Sequence, residues 1–369
     1  MMNKSQPISA DQLAATAFVL MLSPALRLFP SAAAASAGRA APLAALLAFF
    51  PAALYLFLAC RAVSRRREGE GLCALIVRAL PGRAGRMALG VLWLWLTAYA
   101  GFVLRSGADR FIIAVYPGAP VGFFVLTMAA AALAAAFAPY RDAVRTAKLV
   151  LPAVAGVLAL VLFSSLGKLR ADNLLPLRPA SAAGLFAGAL PGLDVLVWTI
   201  CAPAFALGET KKGSPPFPRL LAVLALMSAV LALMSAAVVG SFGAELASSL
   251  SWPFFSLVRN LVFLRSVERV EALVVALWVF PDFLIVSIFL RAARDALALS
   301  LGRRVKLLAQ SRFALPLGAA AGCAFALLAA PDAPALALLS QRLIPAANLF
   351  FALIFFPAVF LIGRKKGRL

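Results

Sequence analysis

Two apolar stretches of this sequence contain polar residues that could bind a ligand. Pro191, Gly192 and Asp194 place a helix breaker and a carboxylate near the middle of one stretch, and residues 23–30, with Arg27, interrupt another. Hydrocarbon tolerates neither a charge nor an unpaired backbone group unless protein or water surrounds it. The spacing therefore predicts two broken helices whose freed polar groups line a binding or permeation site.

The two predicted breaks suit a small ligand with both a carboxylate and an ammonium group. Where a helix is unwound, its free backbone N–H groups can bind the carboxylate and its free C=O groups can bind the ammonium, and the dipoles of the half-helices assist. Arg27 either binds the ligand carboxylate or forms a structural pair with Asp194, because a buried charge without a permanent partner is costly. Asp194 is also the best candidate for an ammonium or proton site. The predicted ligand-binding residues are Ser23, Arg27, Gly192, Asp194 and Trp198.

The alternatives at these positions are structural. Pro191-Gly192 is otherwise a packing kink, and Trp198 otherwise faces lipid or packs in the core.

A further carboxylate lies near the centre of another apolar span, where Asp282 follows Pro281. It could coordinate a cation or carry a proton, with Ser287 as its neighbour. The equal alternative is a tie to an arginine from another helix. Arg105 and Asp109 stand at i and i+4, and we expect them to neutralise each other as a structural pair.

The composition is typical of a membrane protein. Of the 369 residues 64% are hydrophobic, and the mean hydropathy is +0.98, far above that of a globular domain. The net charge of +21 comes from cations between apolar runs, which favours anionic lipid on the cytoplasmic face and no nucleic acid. With no histidine and four scattered cysteines, the sequence predicts no metal site, no cofactor and no enzyme.

Apolar stretches of about 17 to 25 residues predict ten membrane spans. Most of the 35 Lys and Arg residues lie on the side of the N-terminus, which predicts that both termini are cytoplasmic. A cleaved signal peptide ending near residues 31–34 is the alternative for the first span. The spans are 10–30, 40–61, 87–114, 119–138, 145–166, 183–208, 218–242, 268–295, 313–331 and 341–362.

Three connecting segments are longer than tight turns. Residues 71–82 and 252–267 are predicted to form short amphipathic helices on the two membrane surfaces, the second with its phenylalanines toward lipid. The polar segment 208–218 is predicted to be a flexible link between two halves of five spans. The charged group at 268–271 is expected to order a loop rather than bind ligand.

Several short motifs in this order resemble the spore germination permease-like proteins, which form the B subunit of nutrient germinant receptors. The most specific motif runs from Trp252-Pro253 through Arg259 to the charged residues at 267–271 and Trp278. The others are Leu104-Arg105, Arg145 with Pro152, Asn173-Leu174-Leu175-Pro176, and Gly192-Leu193-Asp194 followed by Pro203.

The resemblance implies the fold of the amino acid, polyamine and organocation permease superfamily. That fold is all-α and polytopic, with ten transmembrane helices in a 5+5 inverted repeat and with helices 1 and 6 discontinuous. One membrane domain would cover 1–369, with repeats at about 10–166 and 183–331, and the segments 313–331 and 341–362 would flank the core. The third helix lines the cavity in that fold, which adds Tyr99 to the ligand-binding residues.

Three functions are consistent with this resemblance. The leading hypothesis is a germinant receptor subunit of the spore inner membrane that binds a small-molecule nutrient, such as an amino acid, and signals to partner subunits. Those partners would be a membrane subunit with a soluble domain and a lipoprotein subunit. The alternatives are a proton- or sodium-coupled amino acid transporter and a membrane scaffold with a vestigial pocket. The family usually has Glu at position 194 and a glycine-rich first break, so ligand identity does not transfer.

Overall fold

The computed structural model describes residues 7–179, 181–211, 216–260, 270–301 and 313–368. Within these ranges the chain forms helices joined by turns and short irregular segments, together with one isolated β-bridge between Ile8 and Thr210. A helix satisfies its own backbone hydrogen bonds, which is what a segment surrounded by lipid requires.

The first half of the chain forms long helices joined by short connections. Helix α1 begins at a capping box, in which Ser9 accepts a hydrogen bond from Gln12 N and the Gln12 side chain accepts one from Ser9 N. In chain order the helices are α1 (Ala10–Ala37), α2 (Ala41–Val63), α3 (Leu72–Ala79), α4 (Arg83–Ala114), α5 (Val121–Ala136), α6 (Tyr140–Ser165) and α7 (Ala171–Leu174).

The second half has the same character. Its last helix is continuous but contains two π-helical stretches, Leu339–Leu343 and Phe350–Phe355. The helices are α8 (Ala182–Thr199), α9 (Ala202–Phe205), α10 (Phe217–Phe242), α11 (Ala244–Ser249), α12 (Pro253–Asn260), α13 (Val270–Ser300), α14 (Ala314–Leu328) and α15 (Ala333–Lys365).

Every predicted span coincides with a helix at that place in the chain. Among the described residues, six helical stretches are long and apolar enough to cross a membrane, and they contain α2, α4, α6, α8, α10 and α15. Helices α5 and α14 are apolar but shorter. The count of ten crossing helices and the inverted repeat stay predictions.

Helix α1 is the centre of the bundle. It packs against α6, α8, α10 and α13, and α2 packs against the same α8 and α10. Helix α4 lies along α13 and α14 on another side. Residues 15–27 of α1 are almost entirely buried, as expected for a helix that is apolar all round and enclosed by neighbours.

The predicted break in the first span is wrong. Helix α1 runs without interruption through Pro24 and Pro30. A proline removes one backbone donor and crowds the preceding turn, but a helix held on every side by other helices can absorb both effects.

The break in the sixth span exists but lies further along the chain than predicted. Helix α8 continues through residues 191–194 and ends at Thr199, and the short helix α9 and a 3₁₀ turn, Ala206–Glu209, follow. Pro203 explains the position, because its ring would clash with the carbonyl of Thr199 in a continuous helix.

Both predicted surface helices form, and both pack on protein. Leu75 and Ile76 of α3 are buried against neighbouring helices, among them α4 and α13. Phe254 and Phe255 of α12 are also buried, where α12 contacts α1, α10 and α13, so their predicted insertion into lipid is wrong. Residues 261–267, the charged pair Glu268-Arg269 and part of the 208–218 link lie outside the described residues.

The first and last described residues, 7 and 368, lie at the same end of the bundle. Ile8 N donates to Glu209 O at 3.1 Å, and the last turns of α15 pack against α3. We call this the terminal end. The opposite end, which we call the distal end, carries the α1–α2 connection and residues 243–252.

Helices α4 and α14 approach each other at two glycines. A Cβ atom on Gly101 would lie 2.2 Å from the carbonyl oxygen of Gly322. We expect Gly101→Ala to destabilise the protein by about 1–3 kcal/mol, because the two backbones must separate. The measurement is thermal unfolding of the purified protein in detergent. Gly90→Ala in the same helix is the control, since its Cβ would meet nothing within 4 Å, and equal unfolding temperatures for the two variants would contradict the prediction.

Candidate functional site

A buried charge cluster joins three helices at the centre of the bundle. Asp282 of α13 accepts a hydrogen bond from the Ser23 hydroxyl of α1 and forms an ion pair with Arg110 of α4. Arg110 Nη1 also donates to Ser23 Oγ at 3.3 Å. Both carboxylate oxygens of Asp282 are therefore engaged, and all three side chains are buried.

Arg110 is held on its other sides as well. Its Nε donates to the Ser106 carbonyl at 3.3 Å, and its guanidinium carbon lies 5.8 and 5.9 Å from the ring centres of Trp252 and Phe255. Aromatic faces stabilise a desolvated cation. The charge of Asp282 is thus balanced by a permanent part of the protein.

This arrangement selects between the two predictions for Asp282. The tie to an arginine from another helix forms, whereas Ser287 donates to Leu284 O of its own helix at 3.0 Å instead of approaching the carboxylate. Sequence reasoning missed Arg110 because cations near the end of a span are common. The signal that could have revealed Arg110 was that Asp282, as a buried carboxylate, needs a cationic partner from another helix.

The predicted Arg105–Asp109 pair also forms and anchors the distal end. Arg105 Nη1 lies 3.4 Å from Asp109 Oδ1, and Arg105 Nε donates to Ala330 O at 2.7 Å. Asp109 Oδ2 accepts from Trp252 Nε1 at 3.1 Å. The pair therefore links α4 to the segment before α15 and to the turn before α12.

Arg27 contrasts with Arg110. Its guanidinium carbon lies 4.5 Å from the ring centre of Phe102, and Tyr99 and Asp194 act on it electrostatically. Its guanidinium interacts with the Tyr99 hydroxyl, but none of its three nitrogens makes a hydrogen bond of full geometry among the described residues, although the side chain is only 4% exposed. The ion pairs of the described residues do not include one between Arg27 and Asp194.

Asp194 lies near Arg27, and it too lacks part of its hydrogen bonding. It is 1% exposed in α8, and its Oδ1 has no partner among the described residues. Asn348 of α15, which is 2% exposed, interacts with this carboxylate, and its own Oδ1 is likewise unpaired. Sequence analysis missed Asn348, although an amide inside an apolar span is itself a signal.

Tyr99 and Trp198 belong to an aromatic cluster that walls this region. Their ring centres are 5.6 Å apart, and Tyr99 lies 5.4 Å from Phe289. Trp198 lies 6.1 Å from Phe351 of α15. Tyr99 therefore lies near Arg27 and Asp194 and interacts with Arg27, whereas the observed contacts of Trp198 are aromatic packing.

Gly192 has a packing role. A Cβ there would lie 2.9 Å from the Phe29 ring and 3.2 Å from Ala48 Cβ, so glycine lets α8 approach α1 and α2. Because α8 stays helical at this position, the backbone groups of Gly192 are not freed for a ligand as predicted. The same correction applies to the backbone at Ser23.

A polar cavity of about 270 Å³ reaches Arg27 from the distal end. Arg27 and Pro191 lie on its lining, with Asp109 and Trp252 on another side. The remaining polar lining is neutral and consists of Ser31, Ser248, Ser249, Ser251, Ser340 and Gln341. A carboxylate entering this cavity would meet the incompletely paired guanidinium of Arg27.

Comparisons with known proteins give a family and a fold. The model of the family Spore_permease, described as spore germination protein, matches residues 7–300. A search of the curated proteins finds no match. Similar solved structures are Mhp1, a nucleobase-cation-symport-1 family transporter in a closed conformation with bromovinylhydantoin bound, and MhsT in complex with L-phenylalanine.

Both solved structures cover nearly the whole chain. Mhp1 is 13% identical with a TM-score of 0.68, and the match covers 98% of this chain and 82% of Mhp1. MhsT is 14% identical with a TM-score of 0.63, and the match covers 98% of this chain and 89% of MhsT. At this identity the likeness shows the fold alone, which is that of a multi-pass membrane transporter. The family resemblance predicted from the sequence is confirmed.

Removing one member of the central ion pair should be strongly destabilising. We expect Asp282→Asn to cost about 3–5 kcal/mol of stability, because Arg110 would remain as an uncompensated buried charge. Thermal unfolding in detergent measures the effect. Asp142→Asn is the control, since Asp142 pairs with Arg141 at 3.8 Å on the surface, where a pair contributes at most about 1 kcal/mol.

The double variant Arg110→Gln with Asp282→Asn separates charge from shape. It should be more stable than Asp282→Asn alone, because no unpaired charge is left. Equal stability of Asp282→Asn and Asp142→Asn would show that the central pair does not hold the helices together.

Proposed function

We propose, from the premise that this chain belongs to the Spore_permease family of spore germination proteins, that it is a membrane subunit of a nutrient germinant receptor. Its ligand would be a small zwitterion, an amino acid above all, and binding would signal to partner subunits. One observation carries the proposal: the incompletely paired guanidinium of Arg27 lies at a cavity with a partly polar lining, and the incompletely satisfied Asp194 lies near Arg27.

The chemistry of these two groups matches the two ends of an amino acid. A guanidinium can donate two parallel hydrogen bonds to a carboxylate, and a carboxylate in low dielectric binds an ammonium. Buried charges without a protein partner are costly, so their retention is best explained by a ligand that completes them. The aromatic pair Tyr99 and Trp198 would pack beside the ligand.

The central ion pair favours a receptor over a cation-coupled transporter. Coupling requires a site where an ion binds and leaves, and the Asp282 carboxylate is already occupied by Arg110 and Ser23. A transporter remains the second candidate, with Asp194 as its cation or proton site. It is supported by the shared fold with MhsT, whose structure contains L-phenylalanine.

The signal would arise from differential binding. A ligand shifts the population of two conformations only by the ratio of its affinities for them, and about 1.4 kcal/mol corresponds to a tenfold shift. We further propose that the distal end is the outer face, that both termini are cytoplasmic, and that the protein lies in the spore inner membrane. Its partners would be a membrane subunit with a soluble domain and a lipoprotein subunit, with anionic lipid on the cytoplasmic face.

Spores with Arg27→Gln should lose sensitivity to their nutrient. A hydrogen bond to a charged group contributes about 1.5–3 kcal/mol, so the nutrient concentration for half-maximal germination should rise about tenfold or more. The measurement is germination of spores over a panel of the twenty amino acids. Arg259→Gln, which removes an exposed guanidinium from α12, is the control, and an unchanged response of the Arg27 variant to every nutrient would refute the site.

Flux measurements separate the receptor from the transporter. In liposomes containing the purified protein, we expect no accumulation of labelled amino acid when a sodium or proton gradient is imposed. Amino acid binding should also be unchanged when sodium is replaced by N-methylglucamine, because Arg110 supplies the central cation permanently. Gradient-driven accumulation would favour the transporter. Normal germination of variants at both Arg27 and Asp194 would favour the scaffold.

A further inference from the structure

The last helix, α15, carries a buried polar residue, Asn348, whose side chain interacts with Asp194 and still keeps one acceptor unpaired. Asn348 is 2% exposed and lies between Ile344 and Ala352, one turn away on either side, which are both fully buried. Its Oδ1 has no hydrogen-bond partner among the described residues. A buried amide with an unmade hydrogen bond destabilises a protein, and an apolar residue would avoid that loss.

The shape of α15 turns this residue toward α8. The π-helical stretches Leu339–Leu343 and Phe350–Phe355 bracket it, and such stretches insert an extra residue into a turn and are frequent at functional sites. The first stretch places Ser340 on the distal cavity, and the second places Phe351 against Trp198. Between them, residues 344–349 pack on α8.

Asn348 and Asp194 together present two unpaired acceptors. Asp194 Oδ1 and Asn348 Oδ1 are both buried without a partner, while Arg27 offers only donors. A primary ammonium has three N–H donors and suits a pair of acceptors. The amide adds an acceptor without adding charge, so Arg27 and Asp194 leave the site neutral overall, as a zwitterion requires.

We propose that Asn348 is a ligand-binding residue that, with Asp194, recognises the primary amino group of the nutrient. Helix α15 is then a wall of the binding site and selects amino acids over carboxylates that lack an amino group. This inference rests on the proposed function, since it assumes that Arg27 binds the carboxylate of the same ligand.

The test compares amino acids with their 2-hydroxy acid counterparts. The two share the carboxylate and side chain and differ only in the group that would face Asn348. The full-length protein in nanodiscs is titrated with each of the twenty standard L-amino acids and its hydroxy acid, and thermal stabilisation gives the affinities. The variants are Asn348→Leu, which removes the acceptor, and Asn348→Gln, which keeps a neutral amide acceptor; Asn260→Leu on the exposed end of α12 is the control.

The wild-type protein should bind its best amino acid about tenfold or more tightly than the matching hydroxy acid, as expected for loss of a hydrogen bond to a charged group. Asn348→Leu should reduce that preference by weakening the amino acid alone, while Asp194 stays in place. Asn348→Gln should keep more of the preference than Asn348→Leu, and Asn260→Leu should match the wild type.

Several outcomes would overturn the inference. A preference for the amino group that is undiminished in Asn348→Leu would do so, as would equal weakening of both ligands, which indicates a packing role. If Asn348→Leu does not fold, Asn348→Ala replaces it, and an undiminished preference in that variant decides against the inference. A wild-type protein that binds nutrients without preferring the amino group defeats this inference alone, whereas one that binds no amino acid defeats the proposed function as well.

Discussion

Neutralisation of a buried carboxylate is the constraint on which this bundle depends. Asp282 is enclosed by α1, α4 and α13, where an isolated charge would be very unfavourable. Arg110 and Ser23 satisfy both of its oxygens. The three helices can therefore adopt only registers that bring these side chains together. Arg27 follows Ser23 by one turn on the same face of α1, so the same contact also fixes the position of Arg27.

Two buried arginines in one bundle have very different surroundings. Arg110 has an ion pair, two further hydrogen-bond acceptors and two aromatic faces. Arg27 has one aromatic face, an interaction with the Tyr99 hydroxyl and no hydrogen bond of full geometry among the described residues. Under the proposed function, a ligand would complete this environment.

The helices and the Arg105–Asp109 pair were predictable from the sequence, whereas the positions of the interruptions and the partners of Asp282 and Asp194 were not. Long apolar runs determine helix positions, because the backbone in lipid has no other way to be satisfied. Pro24 and Pro191 suggested breaks, but enclosed helices absorb single prolines, and the real interruption follows from Pro203. Arg27, Asp194 and Tyr99 lie near one another and Trp198 packs on Tyr99, while their binding of a ligand stays a prediction. Arg110 and Asn348 were missed because each acquires its meaning from a residue far away in the chain.

The continuity of α1 and of α8 past Asp194 changes how a ligand would act. With their backbone groups already bonded within helices, recognition must come from side chains on α1, α8 and α15. A ligand that joins Arg27 to Asp194 would then pull whole helices together. Helix α8 ends at Thr199, five residues after Asp194. Close to this end, Cys201 Sγ lies 2.9 Å from the Tyr55 hydroxyl oxygen.

Past that interruption the chain reaches the terminal end. The Glu209 carboxylate accepts hydrogen bonds there from the first backbone amides of α6, at Tyr140 and Arg141. The backbone carbonyl of Glu209 accepts a hydrogen bond from Ile8 N. Under the proposed function, a shift of α8 has a continuous covalent and hydrogen-bonded route from the ligand to the face where partner subunits would respond.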